Sequence, residues 1–148
     1  MQQHLQAAWL DRAPGLPLQN PYHALILASI VEKETGTASD RAMIAGVFMN
    51  RLRKGMLLQT DPTVIYGIGD RFDGNLRKRD LITDSAYNTY KRAGLTPTPI
   101  SLPGMAALQA TLHPAQTDAL YFVARGDGSS QFSSSLTAHN RAVNQYQK

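Results

Sequence analysis

The segment Pro21-Tyr-His-Ala-Leu-Ile-Leu-Ala-Ser-Ile-Val-Glu-Lys-Glu-Thr35-Gly36 constrains the chain more than any other. Asn20 is suited to cap a helix there, Pro21 to fill its first position and Gly36 to stop it. A helix this apolar needs other elements packed against it. At about 100° per residue, Leu27, Ile30 and Val31 fall to one side of Glu34, while Glu32 lies over Leu25, Ala28 and Ser29. The two carboxylates therefore sit in different surroundings. Apolar neighbours and the negative end of the helix dipole both disfavour a charged Glu34 and raise its pKa, as a general acid for glycosidic bond cleavage requires. The plainer alternative is an ion pair with Arg41.

The chain has 148 residues, enough for one domain with a core of its own, and it has no cysteine, which excludes thiol chemistry and cysteine-bound zinc. No apolar run approaches the roughly 20 residues that span a bilayer. Fifteen basic against eleven acidic residues, a net charge of +4, suit an anionic partner without choosing one. His4, His23, His113 and His139 are too scattered to suggest a metal, and neither a Gly-x-Ser-x-Gly elbow nor a glycine-rich phosphate loop is present. His113, before Pro114, reads as a helix end.

Around the central segment the pattern predicts further helices. Leu5, Ala8, Trp9 and Leu10 lie on one that runs to Pro14. Another starts at Ser39 and Asp40, follows Ile44, Val47, Phe48 and Leu52, and ends at Gly55. Arg51, Arg53 and Lys54 fill its last turn and read as a solvated end that complements the dipole. Asp61 as cap and Pro62 as first position open a short helix to about Ile68. The stretch from Asp70 to Ala93 is polar and irregular, Pro103 opens a helix through Leu112, and a last helix starts near Thr137. Residues 119–124 and 130–134 form the clearest hairpin, turning at Gly126-Asp-Gly128. These elements make a single domain, residues 1–148, of helix-rich α+β class.

Gln59, Thr60, Asp61, Asn88, Tyr90, Tyr121 and Asn140 supply the amides, hydroxyls and rings that bind sugars. Each also has a structural reading: Asp61 as a cap, Asn88 as a turn former, Tyr121 as a strand side chain. Only a cleft shared with Glu34 makes them a site.

The blocks Leu27-Ala-Ser-Ile-Val-Glu-Lys-Glu-Thr35, Leu58-Gln-Thr-Asp-Pro-Thr-Val-Ile-Tyr66-Gly67, Tyr87-Asn-Thr-Tyr90, His113-Pro114, Leu120-Tyr-Phe-Val123 and His139-Asn140, in this order over roughly residues 20–148, resemble the YceG-like family of endolytic murein transglycosylases. The resemblance implies a lysozyme-like catalytic domain. It implies a lyase that cuts the β-1,4 bond between N-acetylmuramic acid and N-acetylglucosamine within peptidoglycan and leaves a 1,6-anhydro end. It carries the essential acid to Glu34, which with Thr35 resembles the Glu-Ser pair of lysozyme-like lytic transglycosylases, and makes Gln59, Thr60, Asp61, Tyr66, Asn88, Tyr90, Tyr121 and Asn140 the supporting or sugar-binding residues. No cofactor or metal is implied. The implied setting is the outer face of the bacterial cytoplasmic membrane beside peptidoglycan synthases, with the family's usual membrane helix and LysM-like domain absent from this sequence. The rival reading keeps the fold as a peptidoglycan-binding scaffold without turnover. A basic nucleic-acid module, motivated by Arg51, Arg53, Lys54 and residues 77–79, ranks below both.

Overall fold

A computed structural model describes residues 2–34 and 37–146. The central segment forms α2 (Pro21–Glu34), preceded by α1 (Gln2–Leu10). Asn20 caps α2 as expected: its side-chain oxygen accepts the His23 backbone N–H at 2.9 Å. Gly36, the expected stop, and Thr35 lie outside the described residues. Ala24 and every residue from Ile26 to Val31 are buried, so α2 is enclosed on several faces rather than along one stripe. It packs against α1, α3 (Ala38–Lys54) and α6 (Met105–Leu112). Leu27, Ile30, Ile44, Phe48, Met49, Leu108 and Leu112 are among the largest fully buried side chains of the core. Burying one side chain of this kind stabilises the fold by roughly 1.5–3 kcal/mol, which makes the α2–α3–α6 core the rigid base for everything beyond it.

Ser29 is the buried polar exception on α2. Its hydroxyl donates to the Ile26 carbonyl at 2.6 Å and accepts the Ile100 N–H at 3.0 Å, which fastens the proline-rich loop before α6. That loop needs the anchor because it has no ladder of its own.

α3 begins at Ala38 and ends where expected, at Gly55, whose φ of 71° is the left-handed conformation of a helix stop. α4 covers Asp61–Ile68, but Thr60 takes the cap position and Asp61 the first helical one, a shift of one residue that leaves the Asp61 carboxylate free for other partners. The polar stretch after it is less irregular than expected. It holds a 3₁₀ turn at Gly69–Arg71 and a short helix, α5 (Lys78–Ile82), which starts where Asp80 accepts the Arg77 N–H at 2.8 Å. α6 starts two residues later than Pro103.

The hairpin is β1 (Tyr121–Ala124) paired antiparallel with β2 (Ser130–Ser133), Phe122 facing Phe132. Two strands alone are barely stable in water, and α3 supplies the support. Asn50 donates from its amide to the Thr117 and Ala119 carbonyls at 2.8 and 2.9 Å, and Asp40 accepts the Ser130 N–H at 2.9 Å. Gly46 lets the chain after α6 lie against α3: a Cβ there would stand 2.8 Å from the Ala115 carbonyl oxygen. The terminal helix α7 (Leu136–Tyr146) closes over the hairpin and buries Ala142.

Candidate active site

α2 delivers Glu34 to the edge of the core. Leu27, Ile30 and Val31 beneath it are 0% exposed, and the carboxyl opens into a cleft of about 660 Å³. Its pKa is raised from 4.5 to about 7, first by burial and then by the negative charge of Asp61, with Arg51 opposing. Burial is the cause the sequence pattern anticipates. Asp61 is a second one that it does not name. No ion pair joins Glu34 to Arg41 among the described residues, so the plainer reading of Glu34 does not describe this fold.

Glu32 does a different job on the opposite side of α2. Its carboxylate accepts the Gly104 N–H at 2.7 Å, at the start of α6, where an acceptor is favoured by both the free N–H groups and the helix dipole. The same contact explains why α6 begins at Met105.

Gln59 and Asp61, with Tyr90, contribute one part of the cleft; Tyr121–Ala124, Ser130 and α7 residues Leu136, His139, Asn140 and Val143 contribute another. Tyr90 donates its hydroxyl to Asp61 at 2.5 Å. Burial and that bond hold the Tyr90 phenol well above its ordinary pKa, so it remains a donor. Tyr121 stacks on His139 with ring centres 5.1 Å apart, a flat aromatic surface suited to the apolar face of a sugar. Burial and Arg51 together lower the His139 pKa, which favours the neutral ring.

Of the residues expected to bind sugar or support the site, Gln59, Asp61, Tyr90, Tyr121 and Asn140 thus share the cleft with Glu34. Three others lie elsewhere. Thr60 is 2% exposed and its hydroxyl bonds to Thr63, so it serves the start of α4. Asn88 is 1% exposed; its amide donates to the Leu81 and Thr83 carbonyls at 2.9 and 2.7 Å, and its oxygen accepts the Tyr90 N–H at 2.9 Å. It shapes the loop that presents Tyr90. Tyr66 is 46% exposed and packs on Tyr87, away from the cleft.

Arg51 corrects the reading of the α3 end as solvated. It is 6% exposed and donates to the Leu58 carbonyl and, at 2.8 Å, to the Leu120 carbonyl. Burial lowers its pKa, yet a guanidinium starts so high that it remains charged. One buried cation therefore ties Leu58, just before Gln59, to Leu120, just before β1, and stands near Glu34. Sequence reasoning also passed over His139 as a cleft residue, although its place beside Asn140 in an ordered block was a signal.

On a helix-rich α+β frame, the chain thus carries a carboxyl of raised pKa in an open cleft lined by amides and aromatic rings. Residues 1–145 match the YceG-like family, and the chain belongs to that family. It is 51% identical over 122 residues to the endolytic murein transglycosylase of Bacillus subtilis (strain 168), covering 82% of this chain and 34% of that protein. Against the endolytic murein transglycosylase of Streptococcus pneumoniae serotype 2 (strain D39 / NCTC 7466) the identity is 36% over 124 residues, covering 80% and 22% respectively. The crystal structure of a YceG-like protein from Listeria monocytogenes superposes with a TM-score of 0.76 at 47% identity, over 82% of this chain and 39% of that one. The chain thus spans about a third or less of the length of these curated relatives.

Proposed function

We propose that this domain is a lytic transglycosylase that cuts the bond between N-acetylmuramic acid and N-acetylglucosamine inside peptidoglycan strands, including newly made ones. Glu34, held near pKa 7 in the cleft, is the observation that carries this reading. Its protonated carboxyl donates to the glycosidic oxygen as the bond to the muramic anomeric carbon breaks. Positive character develops at that carbon, and Asp61 offers it a negative charge. The muramic C6 hydroxyl then attacks the anomeric carbon and gives its proton to the Glu34 carboxylate, which restores the acid. Water is not consumed and a 1,6-anhydro end results, so one carboxyl serves as acid and then as base. This chemistry places the work in the bacterial cell envelope, with peptidoglycan synthases as natural partners.

The test is digestion of peptidoglycan by the wild-type chain and by Glu34→Gln and Glu32→Gln, followed by mass spectrometry of product ends. Glu34→Gln should lower turnover by on the order of a thousandfold or more, within the range that general acid catalysis contributes. Glu32→Gln should retain activity within a few fold, because an amide oxygen can still accept the Gly104 N–H. Reducing ends would mean hydrolysis, and binding of glycan without any cleavage would favour a scaffold.

A further inference from the structure

Gln59 stands alone among the described non-glycine residues in having a positive φ, 55°. A residue with a Cβ is disfavoured there, and glycine is the usual occupant. Such a conformation persists only where the surroundings over-determine it, and here they do. The Leu58 carbonyl is held by Arg51. The Gln59 N–H donates to the Thr89 carbonyl at 3.3 Å, and the Thr60 N–H donates to the Thr89 hydroxyl at 2.9 Å. The Thr60 carbonyl accepts from the Thr63 hydroxyl at 2.9 Å. Both neighbours, Leu58 and Thr60, are buried, while Gln59 is exposed and lines the cleft. Its carboxamide makes no hydrogen bond to a described residue. Four braced backbone groups thus present one unused side-chain amide beside Glu34.

We infer that Gln59 is a substrate-contacting residue whose braced left-handed backbone aims its carboxamide at a 2-acetamido group of the glycan. The inference rests on the reading of the cleft as a peptidoglycan site. An amide offers one acceptor oxygen and an NH₂ donor, complementary to the N–H and carbonyl of an acetamido group. A glycine would fit the backbone with less strain and would leave that group unbound. Arg51, Thr63 and Thr89 are positioning residues in this account, since each acts through the backbone on either side of Gln59.

Gln59→Gly separates the two properties. Its midpoint of thermal unfolding should equal or exceed that of the wild type, because relief of the backbone opposes the added freedom of the unfolded chain. Binding is measured in the Glu34→Gln background, which needs no turnover, with a soluble glycan oligosaccharide and its chemically de-N-acetylated counterpart. Adding Gln59→Gly should weaken binding of the N-acetylated glycan by about tenfold, the loss of one to two hydrogen bonds, and abolish the preference for it. Unchanged affinity, an undiminished N-acetyl preference, or a clear fall in thermal stability would each overturn the inference. Anhydro ends from the wild type together with no effect of Gln59→Gly would sink this inference alone. Absence of glycan binding by the Glu34→Gln chain would count against the peptidoglycan reading as well.

Discussion

Two hollows on this molecule invite comparison: the Glu34 cleft, about 660 Å³, and a depression of about 440 Å³ bordered by Val64, Ile68, Phe72 and the charged residues Arg71, Asp73, Arg77, Arg79, Asp80 and Asp84. The second carries more charge. Its charges, however, largely answer one another. Arg77 grips Asp73 through two bonds of 3.1 and 2.7 Å, Asp84 is held by Arg92 at 2.9 and 3.1 Å, and Asp80 caps α5. In the cleft, Glu34 and Asp61 repel each other electrostatically, Glu34 is partly desolvated, and Arg51 spends its hydrogen bonds on main-chain carbonyls. A surface whose charges are satisfied needs nothing further. The cleft keeps a carboxyl poised between its two protonation states, and that difference makes it the candidate site for the proposed chemistry.

The largest difference expected is one of stability. Glu34 has a folded pKa of about 7 against a reference of 4.5, so the folded state favours the protonated form. Its contribution is full below about 4.5, declines as pH rises, and is lost above about 7. Glu34→Gln, which does not titrate, should therefore be more stable than the wild type at pH 8 by about 2–3 kcal/mol and nearly equal to it at pH 4.5, as read by urea unfolding. Equal stabilities at both pH values would remove the claim that Glu34 is frustrated by its site.

A smaller effect sharpens the electrostatic half of the contrast. Asp61→Asn removes a negative charge that raises the Glu34 pKa, so the alkaline fall in kcat/KM should move to lower pH by roughly half a unit to one unit. A shift to higher pH would mean that Asp61 acts on Glu34 in the opposite sense. At the far end of the scale, Arg77→Gln and Asp84→Asn should leave peptidoglycan cleavage within about twofold of the wild type, because exposed ion pairs are worth little. A large loss there would relocate part of the site to the second hollow.

Much of this contrast was legible in the sequence, for physical reasons that can be named. The different surroundings of Glu32 and Glu34 follow from helical periodicity, and the caps at Asn20 and Gly55 follow from local chemistry. Arg51 was not legible. A cation in a last helical turn reads as solvated unless the Leu58 and Leu120 carbonyls close over it, and that is settled by tertiary packing. The backbone roles of Thr60 and Asn88 were hidden for a related reason: hydroxyls and amides that serve sugars also serve the backbone, and composition cannot separate the two uses. Asp61 escaped its reading as a cap because Thr60 took the cap position one residue earlier. The strain at Gln59 left no sequence signal, since it arises from bonds to Arg51 and to Thr89, thirty residues further on.

The most direct measurement is the titration of Glu34 itself, by NMR of its side-chain carboxyl carbon with Glu34→Gln used to assign the signal. A midpoint of about 7 is expected. A midpoint near 4.3, that of an ordinary exposed glutamate, would contradict it.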